Sequence, residues 1–187
     1  MVKVVVVNGA PNAGKSLFER LCKEQCSCFR NRPGFDGVKP LYVDITSTVE
    51  FVKEIAYNCG WNGAKTPENR KFLSDLKALL TEWDNIPYKI IKERVENLPK
   101  TVDWIVFVDC REPEEIQKLK DGMNATTLLI RREQAENAET SNASDANVLK
   151  YNYDLTIWNN SDIIDLEKQV EEFIEYMRGA PHYEHDN

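Results

Sequence analysis

The chain has 187 residues, 42% of them hydrophobic, which suits one packed domain with room for an insertion and argues against disorder. Its net charge of −7 disfavours general nucleic-acid binding. No apolar run reaches the roughly 18 residues a membrane span needs, and Val4 to Val7 is too short for a signal peptide, so neither a membrane nor an export route is expected.

The first predicted strand is Val2 to Val7, and directly after it comes GAPNAGKS, Gly9 to Ser16. This fits the phosphate-binding pattern G-x-x-x-x-G-K-[ST] in its strand, loop, helix setting. Glycines let the backbone wrap a polyphosphate with its N–H groups inward, and the following helix adds its positive dipole end. Gly9, Ala10, Pro11, Asn12, Ala13, Gly14, Lys15, Ser16 and Leu17 are therefore the expected nucleotide cradle. Lys15 supplies a point charge to the outer phosphates, and the Ser16 hydroxyl is a ligand for Mg²⁺. A helix over Lys15 to Cys28 follows. Five cysteines (Cys22, Cys26, Cys28, Cys59 and Cys110) form no CxxC framework, which points to reduced thiols and a cytoplasmic location. Cys22, Cys26 and Cys28 lack a second ligand cluster, which disfavours zinc.

A second strand is predicted at Leu41 to Asp44, then a helix over Ser47 to Cys59 with Ser47 and Glu50 as a capping box. Pro67 opens the best helix in the chain, whose Phe72, Leu73, Leu76, Leu79, Leu80 and Trp83 recur at helical spacing and read as one core stripe. Another helix covers Pro87 to Leu98. Trp104 to Asp109 is the third strand, and Asp109 stands at its carboxyl end, where open α/β sheets place their ligand crevice. There it either holds Mg²⁺ or caps the helix predicted over Glu112 to Asp121. Arg111 follows that strand by two residues, and Arg131 and Arg132 follow the fourth, Thr126 to Ile130. Phosphoryl transfer calls for charge neutralisation by such guanidinium groups, although each would serve equally in a surface salt bridge.

Residues 133–147 (EQAENAETSNASDAN) are polar, without periodicity, and read as a mobile loop. A fifth strand is predicted at Asp154 to Trp158 and a last helix at Ser161 to Met177. The tail from Gly179 carries the only two histidines, His182 and His185, and reads as frayed. Residues 1–132 carry 21 basic against 18 acidic side chains, whereas residues 133–187 carry 3 against 13. The basic groups thus gather where phosphates are expected, and the acidic terminal helix reads equally well as a solvated face. Alternating strands and helices imply right-handed crossovers and a five-stranded parallel sheet inside a three-layer α/β/α sandwich.

No NKxD or DxxG motif is present, which sets signalling GTPases aside. The remaining pattern resembles the P-loop nucleoside monophosphate kinase group, especially phage-type deoxynucleoside monophosphate kinases and the related phosphomevalonate kinases. That resemblance implies the P-loop NTPase fold in a single domain over 1–178, with an acceptor-binding insertion at 46–98, a short lid at 131–150 and a flexible tail at 179–187. TSTVEFVKEIAYNCGWNGAKTPENRKFLSDLK, from Thr46 to Lys77, is similar in layout to the group's insertion. By that likeness Lys53 and Arg70 meet the acceptor phosphate, and Trp61 lies near its base or plugs the insertion's own small core. The segment from Asp109 to Ile116 looks like the group's acidic and arginine pair on strand three. Lys15, Arg111, Arg131 and Arg132 become the catalytic candidates. WNNSD, Trp158 to Asp162, resembles the loop that touches adenine and adds Asn159 to the nucleotide site. The insertion lacks the base-reading signature of adenylate or guanylate kinases, and the lid carries Glu133, Glu136 and Glu139 beside its arginines. ATP and Mg²⁺ are the implied cofactors and a small phosphorylated acceptor the implied partner, with a nucleotide-binding regulator as the non-enzymatic alternative.

Overall fold

The structure is a computed structural model that describes residues 1–29, 39–136 and 145–179. Glu139, the side chain of Cys28, and the tail with His182 and His185 lie outside the described residues. Among those described, no helix is long and apolar enough to cross a membrane.

Five parallel strands form one sheet in the order β2-β3-β1-β4-β5, with β1 at Val2–Asn8, β2 at Leu41–Ser47, β3 at Asp103–Asp109, β4 at Thr126–Arg131 and β5 at Leu155–Trp158. The helices are α1 (Lys15–Phe29), α2 (Glu50–Asn58), α3 (Pro67–Asp84), α4 (Ile86–Glu96), α5 (Pro113–Met123), the short α6 (Glu133–Glu136) and α7 (Ile163–Met177). A 3-10 helix spans Asp145–Lys150. The expected α/β/α sandwich is what the chain forms.

β1 occupies the centre, which explains its unbroken valine run: Val5, Val6 and Val7 are fully buried because both sheet faces are covered. Val5, Val7, Ile105, Phe107, Leu128 and Ile130 share a core with Phe18 and Leu21 of α1 and with Leu166, Val170 and Phe173 of α7. There Phe18 meets Phe107 and Phe173 edge-on at 6.1 and 5.3 Å. α5 packs against β1 and β4. In register, Val7 lies beside Asp109, Asn8 beside Leu129, and Arg131 beside Trp158. Asn8, Asp109, Arg131 and Trp158 therefore stand along one carboxyl edge. From the neighbouring strands β1 and β4 the chain departs towards β2 and β5, in opposite directions, the arrangement that opens a ligand crevice.

Two compact units are distinguishable, Met1–Ile45 with Pro99–Asn187, and Thr46–Leu98. In the smaller unit α3 starts at Thr66, whose hydroxyl accepts the Asn69 amide at 3.3 Å ahead of Pro67, and stops at Asn85 in the left-handed conformation.

Three expectations are corrected. Ser47 does not cap α2: β2 persists through Ser47, the helix begins at Glu50 without a side-chain cap, and the Glu50 carboxylate instead accepts from Thr46 Oγ1 and, at 3.3 Å, from Arg94. The α3 stripe is not core, since no α3 residue is buried and Phe72, Leu79 and Trp83 are 40%, 62% and 76% exposed. α3 has 18 residues against 9 in α2 and 11 in α4, so short neighbours cover only the side bearing the half-buried Leu73, Leu76 and Leu80. Finally, 133–147 is not structureless throughout, because α6 and the 3-10 helix occupy its two ends.

Candidate active site

The loop between β1 and α1 is shaped by what surrounds it. A Cβ on Gly9 would stand 2.4 Å from the Ile130 carbonyl oxygen, so only glycine lets β1 hand over to the loop beside β4. Gly14 has φ +103°, and a Cβ there would meet the Asn159 amide nitrogen at 2.3 Å. The Ala13 amide donates to the Ala10 carbonyl at 3.1 Å and closes the turn. Pro11 and Asn12 form its outer tip, Asn12 at φ +64° and exposed. Lys15 opens α1, and its ammonium reaches back over the turn to the carbonyls of Gly9 at 2.7 Å and Ala10 at 3.3 Å. Ser16 is exposed, and Leu17 rests partly buried on the core. α1 has no acidic residue in its first turn, so the positive end of its dipole is uncompensated where the glycine-rich turn delivers the chain.

Asn8, which sequence reasoning missed, anchors this loop from below. Fully buried, it accepts the Gly9 amide on Oδ1 at 2.8 Å and donates through Nδ2 to the Tyr153 hydroxyl at 2.7 Å and the Arg111 carbonyl at 3.3 Å. Tyr153 in turn donates to the Val148 carbonyl at 2.9 Å. A lone amide ending a run of valines was the available signal.

Asp109 does not cap α5. That helix takes Glu112 at its cap position, without a side-chain bond, and starts on Pro113. Asp109 instead sits half-buried at the end of β3 and acts electrostatically on Glu19, one helical turn beyond Lys15. Glu19 is only 2% exposed, and its Oε1 is buried without a hydrogen-bond partner. Burial first, then the Asp109 carboxylate, push its carboxyl up to about 8 against the opposing pull of the Lys15 ammonium. Ser16, Asp109 and this orphaned oxygen are hard donors that fit magnesium. No three His, Cys, Asp or Glu side chains converge as a metal cage among the described residues, and magnesium asks for few carboxylates because it keeps much of its water.

The Glu19 shift has a consequence for stability. Between the unfolded value of 4.5 and the folded value of about 8, the folded chain holds a proton that the unfolded chain has released. Its contribution is therefore fully present below pH 4.5 and is lost as pH rises through about 8. A shift of this size corresponds to roughly 3–5 kcal/mol. Urea unfolding of Glu19→Gln against wild type should show the variant gaining relative stability from about pH 5 to about pH 8. Parallel curves over that range would exclude the buried ionisation.

Solved structures similar to this chain include a thymidylate kinase from Ehrlichia chaffeensis (16% identity, 94% of this chain and 98% of that one, TM-score 0.47). A gluconokinase from Sinorhizobium meliloti 1021 (12%, 96% and 98%, TM-score 0.46) and a shikimate kinase from Aquifex aeolicus (13%, 94% and 96%, TM-score 0.45) are similar at the same level. No family model and no curated protein matches the chain.

The ends of β4 and β5 complete this side of the sheet. Arg131 clasps Glu136 through two hydrogen bonds of 2.7 Å and lies 4.1 Å over the Trp158 ring. Those bonds hold the Glu136 carboxyl below its ordinary value. Arg132 is half-buried and donates to Gln134 at 3.3 Å, so among the described residues Glu136 engages Arg131 and not Arg132. Asn159 ties the loop together: its backbone amide donates to the Arg131 carbonyl at 2.8 Å and its side chain to the Ala13 carbonyl at 2.9 Å. Asn160 adds a bond from the Glu133 amide at 2.9 Å. Arg111, half-buried, follows Asp109 by two residues.

Lys53, Trp61 and Arg70 belong to the smaller unit. Lys53 on α2 and Arg70 in the first turns of α3 are exposed. Trp61 is half-buried against Tyr57, ring centroids 4.7 Å apart, and its indole N–H is buried without an acceptor.

Proposed function

We propose that this chain is an ATP-dependent phosphotransferase whose acceptor is a nucleoside or deoxynucleoside monophosphate. The observation carrying this reading is the loop from Asn8 to Ser16, closed on itself beside β4, with the Lys15 ammonium over it and an uncompensated helix start behind it. A triphosphate tail suits that loop, because the start of α1 brings a positive dipole end and Lys15 brings a point charge to the same turn. Ser16 and Asp109 would hold magnesium, which would supply charge neutralisation for the phosphates. Lys15 holds the outer phosphates, while Arg111, Arg131 and Arg132 on the same edge meet the negative charge of the transferring group. An acceptor phosphate oxygen attacks the γ-phosphorus, the bond to the bridging oxygen breaks, and its electron pair stays on ADP.

Lys53 and Arg70 are exposed cations suited to an acceptor's phosphate, and Trp61 with Tyr57 offers an aromatic pair for a base. A reading in which the acceptor is another small phosphorylated metabolite is supported by the same residues, since two exposed cations and an aromatic pair suit a phosphate and an apolar body as well as a base. Purified protein with ATP and Mg²⁺ should release ADP when offered a panel of nucleoside and deoxynucleoside monophosphates, and Arg70→Ala should raise the acceptor KM or lower kcat while leaving ATP affinity unchanged. ADP release only with non-nucleotide acceptors would select the second reading. Tight ATP binding with no ADP from any acceptor would select a regulator.

A further inference from the structure

Glu19 remains unused by the steps above, and its position is costly. α1 presents Phe18, Leu21 and Cys22 to the core as buried apolar side chains, and an apolar residue at position 19 would avoid desolvating a carboxyl that gains no hydrogen bond at Oε1. Structural need does not account for it. Its surroundings do point to a ligand: on α1 it lies four residues after Lys15 and three after Ser16, the spacings that share a helix face. Its charge also couples to Asp109 at the end of β3 and to Lys15. Glu19 thus feels one further carboxylate and one ammonium, a balance that improves when a divalent cation joins.

We propose that Glu19 is a positioning residue for magnesium, accepting through Oε1 a hydrogen bond from a water of the metal's hydration shell. This rests on the nucleotide-binding reading and extends it to a residue outside the phosphate-binding motif. Helix spacing accommodates the outer position. Three residues along α1 correspond to about 4.5 Å of rise beyond Ser16. A metal–oxygen bond of about 2.1 Å followed by an O–H···O⁻ bond of about 2.6 Å spans a similar distance. Magnesium, which sheds water reluctantly, is suited to such a relay, and outer partners of this kind orient the inner ligands.

The test uses Mn²⁺ as the probe, titrated by electron paramagnetic resonance into wild-type protein carrying a non-hydrolysable ATP analogue. Glu19→Gln, which keeps the shape but cannot ionise when the cation arrives, should weaken Mn²⁺ binding by about 10- to 100-fold. Analogue affinity measured in EDTA should be unchanged. Glu19→Leu should weaken Mn²⁺ at least as much while raising stability without metal, so a poorly folded glutamine variant still leaves a decisive comparison. Unchanged Mn²⁺ affinity in either folded variant overturns the proposal, as does an equal loss of analogue binding in EDTA. A wild-type protein that binds neither analogue nor Mn²⁺ overturns the nucleotide reading itself, an outcome distinct from the first two.

Discussion

On the proposed nucleotide-binding reading, Lys15→Ala is expected to abolish the stabilisation that ATP would confer on the folded chain. At a ligand concentration about 100 times Kd, binding contributes about 2.7 kcal/mol, which for a domain of this size corresponds to a Tm increase of roughly 5–10 °C. The variant should show none of it. Its ligand-free Tm should fall modestly: water can satisfy the Gly9 and Ala10 carbonyls at this part-exposed loop, while buried Glu19 loses the positive charge that acts on it. Differential scanning fluorimetry with and without ATP separates these effects. If the variant kept the full ATP-dependent shift, the nucleotide would have to bind away from this loop.

Gly9→Ala should damage both stability and binding. The added methyl would stand 2.4 Å from the Ile130 carbonyl oxygen, and a backbone atom inside a buried parallel strand cannot step aside. Either β1 and β4 separate or the loop shifts, at a cost of about 1–3 kcal/mol for overpacking. Gly14→Ala makes an instructive contrast, since the colliding atom there is the Asn159 side-chain amide, which can rotate away. Its expected cost is smaller, and comes from the positive φ and from losing the bond to the Ala13 carbonyl. Denaturant unfolding of both variants should rank Gly9→Ala as the more damaging. The reverse order would mean that the strand contact yields more readily than its geometry implies.

The parallel sheet was legible because burial on both faces leaves a plain trace: Val4 to Val7, Ile105 to Val108 and Leu128 to Ile130 are apolar without alternation and almost fully buried. The turn between β1 and α1 was legible because its backbone demands glycine at positions 9 and 14. Periodicity along α3 was read correctly as a helix and incorrectly as core, for a stripe records which side is apolar and says nothing about how much of it a small three-helix unit can cover. Ser47 misled because the capping pattern fits any serine three residues before a glutamate, and only the extent of β2 decides the matter. Glu19 was invisible for a different reason. A charged residue in an amphipathic helix reads as solvated, and the cue that it lies inside, its place between Phe18 and Leu21, becomes decisive only once the packing of α1 leaves it 2% exposed.

The Asn8 network narrows how a polyphosphate can lie in the loop. Gly9 spends its N–H on the Asn8 side chain and Ala13 spends its own on the Ala10 carbonyl, while Pro11 has none to offer. On the proposed reading Gly9, Pro11 and Ala13 therefore have no N–H to offer a phosphate, and the tail should bind towards the end where α1 begins. Affinity for the tail should accordingly depend more on the helix terminus and the lysine than on the first glycine, whose task is to let two strands run close together.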